Sequence, residues 1–294
     1  METAIEIGNL TRDYGNGRGV FDLSFSIGKG EVYGLLGPNG AGKTTVIRHL
    51  MGFLKPQKGN CLISGMDCWA ESARIQKGLG YIPGEINFFQ DMTGSGFLNF
   101  LRQYRGIDGK DRTGELLERF ELDPAVKLKK MSKGMKQKVG IVAALMHDPD
   151  VLILDEPTSG LDPLMQNRFI ELILEEKARG KTILMSSHIF EEVERTCHRV
   201  CILKEGRIAA IDSVDALKAS QVKRYIVTLE SEAAATAFAG EGLAVESIQE
   251  NKVTVRVQNN IREFILAMNR HPVVNLMAPS QSLEEIFLQY YGGK

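Results

Sequence analysis

The sequence has 294 residues, 43% of them hydrophobic, which is enough to bury a substantial core and to divide into two domains. Its 36 basic and 37 acidic side chains leave a formal net charge of -1 and offer no basic footprint for nucleic acid. No apolar run approaches the roughly eighteen residues of a membrane-spanning helix, and the Met1-Glu2-Thr3 start lacks a secretory leader's basic and apolar regions, so a soluble chain is expected.

In chain order, the first feature is Arg12-Asp13-Tyr14-Gly15, with Tyr14 as an aromatic at a strand end. Val32 to Leu36 then reads as a buried strand, and Val46, Ile47, Leu50, Met51 and Leu54 fall on one face of a later helix. Between them stands Gly37-Pro38-Asn39-Gly40-Ala41-Gly42-Lys43-Thr44, whose G-x-x-x-x-G-K-T spacing builds a pocket for nucleotide phosphates out of backbone amides. Its glycines permit positive φ and close approach, and the start of the helix favours an anion. Lys43 supplies a point charge at the β and γ phosphates, Thr44 offers a Mg²⁺ ligand, and Thr45 belongs to the same nucleotide-binding turn. Taken alone, this loop leaves kinase, GTPase, motor and transporter ATPase all open.

Gly80-Tyr81-Ile82-Pro83 ends a further strand and is followed by Gly84 and Glu85. Apolar and aromatic residues from Phe88 to Tyr104 begin a helical region, in which the pair Phe88-Phe89 serves either a partner contact or the core. A helix starting near Ser132, in Met131-Ser132-Lys133-Gly134-Met135-Lys136-Gln137-Lys138, either presents its amides to an anion or is simply capped. Val151 to Leu154 reads as a central strand ending in Asp155-Glu156. Ligands gather at the C-terminal ends of parallel strands, where Lys43, Asp155 and Glu156 are then all expected. In that place Asp155 holds Mg²⁺ through its bound water, and Glu156 orients the water that attacks the γ phosphate. Asp162-Pro163 is an N-cap and first-turn pair for the helix through Leu172 and Ile173. Thr182 to Met185 is a third strand, ending in Ser186-Ser187-His188, and a helix-like stretch from Ile189 to Thr196 follows. His188 reads either as a hydrogen-bond donor to the γ phosphate or as a satisfied polar residue at a strand end.

The four cysteines, Cys61, Cys68, Cys197 and Cys201, fit a reducing cytoplasm better than a disulfide framework. Cys197-His198 with Cys201 does not read as a metal site, because Cys201 belongs to the apolar run Val200 to Leu203 and no second ligand pair lies nearby. Beyond about Lys218 the pattern changes: Tyr225 to Leu229, Ala244 to Ile248 and Lys252 to Val257 read as strands, Glu232 to Ala239 and Ile261 to Asn269 as helices. The last stretch, Ser282 to Tyr291, has Leu283, Ile286, Phe287 and Tyr290 at helical spacing and reads as a docking helix.

From about Ile5 to Ile211 these motifs, in this order and spacing, resemble the nucleotide-binding subunit of an ATP-binding cassette (ABC) transporter. Met131 to Lys138 sits where that family has its L-S-G-G-Q signature, Ser159-Gly160-Leu161-Asp162 matches its D-loop, and Tyr14 matches the aromatic that stacks on adenine. The resemblance implies an α/β P-loop NTPase cassette over residues 1–217, with a mixed central sheet, an antiparallel subsheet and a helical subdomain over about 86–148; a small α+β domain follows over 218–294. It also implies ATP and Mg²⁺ as cofactors and a head-to-tail dimer with a second cassette, identical or different. In that dimer Ser132 and Gly134 of one copy close over ATP held by Lys43 of the other, and Asp162 both caps its helix and touches the opposing site. The remaining implied partner is an integral membrane permease docked near Phe88 to Tyr104, which would hold the chain on the cytoplasmic face of the cell membrane.

The departures from the family pattern are also informative. Gly84, then Glu85, stands where most members carry a glutamine that contacts Mg²⁺ and water; either Glu85 substitutes with a one-residue shift or Gly84 leaves that contact to water. Lys133 replaces the first glycine of the signature and Met135 its glutamine, a form that resembles bacterial export-type subunits serving antibiotic, peptide or lipid efflux. Two other readings are a soluble ABC protein acting on ribosomes or DNA, and a binding-only switch. The chain shows neither a second cassette nor an inserted coiled coil, and it retains Glu156 and His188.

Overall fold

A strand covered on both faces must be apolar at every position, and one covered on a single face alternates. Both patterns occur in the computed structural model, which describes residues 2–89, 91–219, 223–257 and 260–278. Its described residues divide into two compact units, with the boundary between Val214 and Asp215.

The first unit opens with β1 (Thr3–Gly15) and β2 (Arg18–Gly28), followed by β3 (Val32–Leu36), α1 (Lys43–Leu50), β4 (Lys58–Ile63), the two-residue β5 (Met66–Asp67), α2 (Ser72–Gly78) and β6 (Leu79–Ile82). A helical segment comes next: α3 (Gly94–Arg105), α4 (Thr113–Arg119), a 3-10 turn (Leu128–Lys130) and α5 (Lys133–Leu145). The chain then alternates through β7 (Val151–Asp155), α6 (Pro163–Ala178), β8 (Thr182–Ser187), α7 (Phe190–Thr196), β9 (Arg199–Lys204) and β10 (Arg207–Ser213).

Six of these strands form one sheet in the order β10-β9-β3-β8-β7-β6. All its pairings are parallel except β9 with β10, so β3, β7 and β8 end on the same edge. Every residue of β3 and of β8 is buried, which accounts for their unbroken apolar sequence up to the polar ends. An antiparallel sheet, β2-β1-β4-β5, stands beside it. There Leu23, Phe25 and Ile27 are buried while Ser24 and Ser26 are exposed, the period of a half-covered strand. The core between them takes in Ile5, Leu10, Tyr33, Ile47, Ile153 and Leu184, and each such side chain contributes about 1.5–3 kcal/mol on burial.

The second unit begins within α8 (Val214–Ala219) and contains β11 (Lys223–Leu229), α9 (Glu232–Ala239), β12 (Ala244–Gln249), β13 (Lys252–Val257), α10 (Ile261–Arg270) and β14 (Val273–Met277). Its sheet runs β12-β13-β11-β14 and is antiparallel throughout, the split βαββαβ arrangement. Phe238 of α9 and Phe264 of α10 are buried against Val227, Leu229, Val253 and Val255 of the sheet. The sequence reading found these strands and helices apart from β14, and its docking helix at Ser282 to Tyr291 lies outside the described residues. Among the described residues no helix is long and apolar enough to cross a membrane.

Candidate functional site

Strand β3 ends at Leu36, and the loop after it turns through the hydrogen bond from Ala41 N to Pro38 O at 3.1 Å. Gly42 caps α1 at φ 108° with no side-chain cap, which leaves the first amides of the helix to an external acceptor. A Cβ on Gly42 would lie 2.7 Å from Cγ1 of Val20, so this position is closed to any larger residue as well as left-handed. Lys43 is only 5% exposed. Its Nζ folds back over the loop and donates to Gly37 O at 2.7 Å and Pro38 O at 3.3 Å.

Two strand ends bring carboxylates and an imidazole to this loop. Asp155, last in β7, is buried and takes a hydrogen bond from Thr44 Oγ1 on Oδ2 at 2.9 Å and one from Ser186 Oγ on Oδ1 at 2.5 Å. Glu156 follows with φ 48°, a left-handed backbone that costs an L-residue about 1–2 kcal/mol. Its N–H is held by Ser186 of β8, at 3.2 Å from the carbonyl and 3.0 Å from Oγ. So fixed, the Glu156 carboxylate lies between an ammonium and an imidazole, with Oε1 3.6 Å from Lys43 Nζ and Oε2 3.4 Å from His188 Nδ1. Thr44, Lys43, Asp155, Glu156 and His188 therefore form one connected cluster on the edge where β3, β7 and β8 end.

Gly84 packs against this cluster. A Cβ there would stand 3.1 Å from Asp155 Oδ2 and 3.3 Å from its Cγ, whereas Glu85 is exposed. Nearby, burial together with the Asp155 charge pushes the Tyr81 phenol up to about 12. Tyr14 is half exposed at the end of β1, with the Arg12 guanidinium 5.4 Å from its ring centroid. Arg12 pairs with Val20, the residue packed on Gly42, so β1 and β2 carry Tyr14 toward the start of α1.

The remaining sequence candidates gather on a separate contact. Ser132 caps α5 by accepting from Met135 N at 3.2 Å, and Asp162 caps α6 by accepting from Met165 N at 3.0 Å, with Pro163 in the first turn. A Cβ on Gly134 would meet Gly160 O at 2.7 Å, Lys133 Nζ donates to Ser159 Oγ at 2.9 Å, and buried Gln137 donates to Pro157 O at 2.6 Å. The first turn of α5 is thus fastened to the loop that leaves Glu156.

Several contributors have no role in the sequence reading. Ser186 and Gln137 are two of them. A third is Glu192, buried in α7, whose carboxylate accepts from Thr158 Oγ1 and, at 2.8 Å, from Ser187 Oγ, joining the loop after Glu156 to the strand end before His188. Burial raises its carboxyl above the ordinary range, against both hydrogen bonds. The available signal for Ser186 and Ser187 is a pair of hydroxyls closing an apolar strand; nothing marks Glu192 among the neighbouring acids.

A groove of about 400 Å³ opens beside the site, lined by Tyr81, Pro83, Ile86, Phe88, Phe97 and Arg105 among others. Phe88 packs on Phe97 at 4.7 Å between centroids, whereas Phe89, 62% exposed, continues into exposed Phe100 and Tyr104.

The sequence model of a family described as ABC transporter matches residues 20–159. The uncharacterized ABC transporter ATP-binding protein YhcH of Bacillus subtilis is 34% identical across 99% of this chain and 97% of its own length. The Nod factor export ATP-binding protein I of Paraburkholderia xenovorans is 39% identical across 75% of this chain and 74% of its own. A solved ATP-binding subunit of an ABC transporter superposes with a TM-score of 0.67 at 32% identity, covering 74% of this chain and 92% of that one.

Proposed function

This chain belongs to the ABC transporter family as an ATP-binding subunit, and from that premise we propose that it binds and hydrolyses ATP to power export through a separate membrane protein. The observation that carries the reading is the connected cluster of Lys43, Thr44, Asp155, Glu156 and His188 on one sheet edge. Residues Gly37 to Thr45 wrap the phosphates, and Lys43 exchanges its two loop carbonyls for phosphate oxygens. Tyr14 stacks on the adenine, with Arg12 behind its ring.

Thr44 and Asp155 fit a hard divalent cation, since both offer oxygen and their oxygens stand 2.9 Å apart. Among the described residues no three His, Cys, Asp or Glu side chains form a metal cage, and Mg²⁺ suits such a site because it keeps water and phosphate oxygens as its other ligands. When bound, Mg²⁺ neutralises charge developing on the phosphoryl oxygens. Of the two candidates after β6, Gly84 is the residue beside Asp155, which leaves that side of the metal site to water. Glu156, held beside Lys43 and His188, acts chiefly by orienting the attacking water. His188 donates to the γ phosphate and discriminates ATP from ADP.

Ser132 and Gly134 of one subunit complete the site of a second, head-to-tail cassette, and Asp162 borders that interface. The α5 N-terminus supports this reading, since the chain's own phosphate loop already has its amides at α1. The apolar groove with exposed Phe89, Phe100 and Tyr104 is suited to a segment of an integral membrane permease, which would hold the subunit on the cytoplasmic face of the membrane. The test is capture of tagged Glu156→Gln from gently solubilised membranes with ATP and Mg²⁺, followed by mass spectrometry. A polytopic membrane protein dependent on ATP is the expected companion; ribosomal or DNA-bound material without one would overturn the transport reading.

A further inference from the structure

Ser186 is fully buried and sits opposite Asp155 in the parallel pairing of β7 with β8. Its hydroxyl has one proton and two acceptor positions. The proton goes to Asp155 Oδ1 at 2.5 Å and a lone pair takes the Glu156 N–H at 3.0 Å, so one side chain contacts both carboxylate residues of the site. Two consequences follow from this geometry. Asp155 cannot turn about its Cβ–Cγ bond without losing the Ser186 bond, so Oδ2 stays toward Thr44. Glu156 is also held at its left-handed φ of 48°, from which its carboxylate meets Lys43 and His188. A strained backbone persists only where surrounding bonds over-determine it, and the Glu156 amide is bonded twice to Ser186.

We infer that Ser186 is a positioning residue for the metal and the attacking water: its hydroxyl sets the rotation of the Asp155 carboxylate and the backbone of Glu156 together. This rests on the ATP-hydrolysis reading of the site. Ser186 is fully buried with its hydroxyl engaged by Asp155 and Glu156, so its loss acts on what Asp155 presents and leaves the phosphate loop intact. The effect therefore separates from general damage by its dependence on Mg²⁺.

The experiment measures binding of a non-hydrolysable ATP analogue by calorimetry, first in EDTA and then across a Mg²⁺ titration, for wild type, Ser186→Ala, Ser186→Cys, Asp155→Asn and Lys43→Ala. Ser186→Ala is expected to bind the metal-free analogue within about twofold of wild type and to need about tenfold more Mg²⁺ for half-saturation, equivalent to about 1.4 kcal/mol. Asp155→Asn should show the same metal-dependent pattern more strongly. Ser186→Cys keeps the shape and a weaker donor, and should fall between wild type and alanine. It also stands in for Ser186→Ala should alanine fail to fold, in which case a wild-type Mg²⁺ requirement in the cysteine variant overturns the proposal. For Ser186→Ala, either an unchanged Mg²⁺ requirement or an equal loss of affinity with and without Mg²⁺ overturns it, the latter marking a purely structural hydroxyl. Undiminished binding by Lys43→Ala would instead bring down the nucleotide reading, and this inference with it.

Discussion

At the scale of single residues, the Asp155 carboxylate has both oxygens engaged and Gly84 against its remaining side. Gly84 is the position where the family resemblance places a glutamine. A side chain at position 84 brings its Cβ within 3.1 Å of Oδ2, tighter than an ordinary contact, so the carboxylate must move. Installing the family's glutamine by Gly84→Gln should therefore lower ATP turnover, by about tenfold on the scale at which sub-ångström misplacement acts. Steady-state phosphate release checks this, and faster turnover than wild type would contradict the packing argument. That Lys43, Thr44, Asp155, Glu156 and His188 meet at one sheet edge was legible in the sequence, because each stands at a strand end or at the start of the helix after the glycine-rich loop. Ser186 and Glu192 were not, since their partners lie 31 and 34 residues away along the chain and meet them only through strand pairing and helix packing.

At the scale of elements, the first turn of α5 and the loop 157–160 form one joint, whose members are unequal in burial. Gln137 is buried on Pro157 O, so Gln137→Ala should cost about 1–3 kcal/mol by leaving that carbonyl unpaired. Lys133→Ala removes an exposed bond and should stay within about 0.5 kcal/mol of wild type. Urea denaturation distinguishes them, and equal costs would contradict the burial argument. A second joint lies where Arg105, near the end of α3, donates to Lys77 O at 3.0 Å at the end of α2 and meets His147 Nε2 at 2.9 Å after α5. Burial, with Arg105 adding to it, lowers His147 from 6.5 to about 4. Between those values the unfolded chain binds a proton that the folded chain refuses, so acidification through this window favours unfolding. Glu115, Glu175 and Asp148, all held low in the fold, add their own loss of stability at acid pH. His147→Gln should hence narrow the difference in urea midpoint between pH 7 and pH 4.5, and an unchanged difference would contradict the assignment. Strands β3, β7 and β8 were legible because two-sided burial writes an unbroken apolar run. The edge strand β14, mostly exposed and following Pro272, carries no such run and went unread.

At the scale of the whole molecule, each unit has its own core, the first around two sheets and the second within a split βαββαβ sheet. The cluster of Lys43, Thr44, Asp155, Glu156 and His188 lies entirely in the first unit, and the family model's match over residues 20–159 takes in all of it except His188. In the proposed function this cluster hydrolyses ATP, with Lys43 holding the phosphates and Glu156 directing water. The most direct test measures nucleotide affinity and phosphate release together for wild type, Lys43→Ala and Glu156→Gln. Lys43→Ala is expected to lose affinity by about 10- to 100-fold, whereas Glu156→Gln is expected to bind ATP as wild type does and to turn it over at least about 100-fold more slowly. Wild-type turnover by Glu156→Gln, or unimpaired binding by Lys43→Ala, would contradict it.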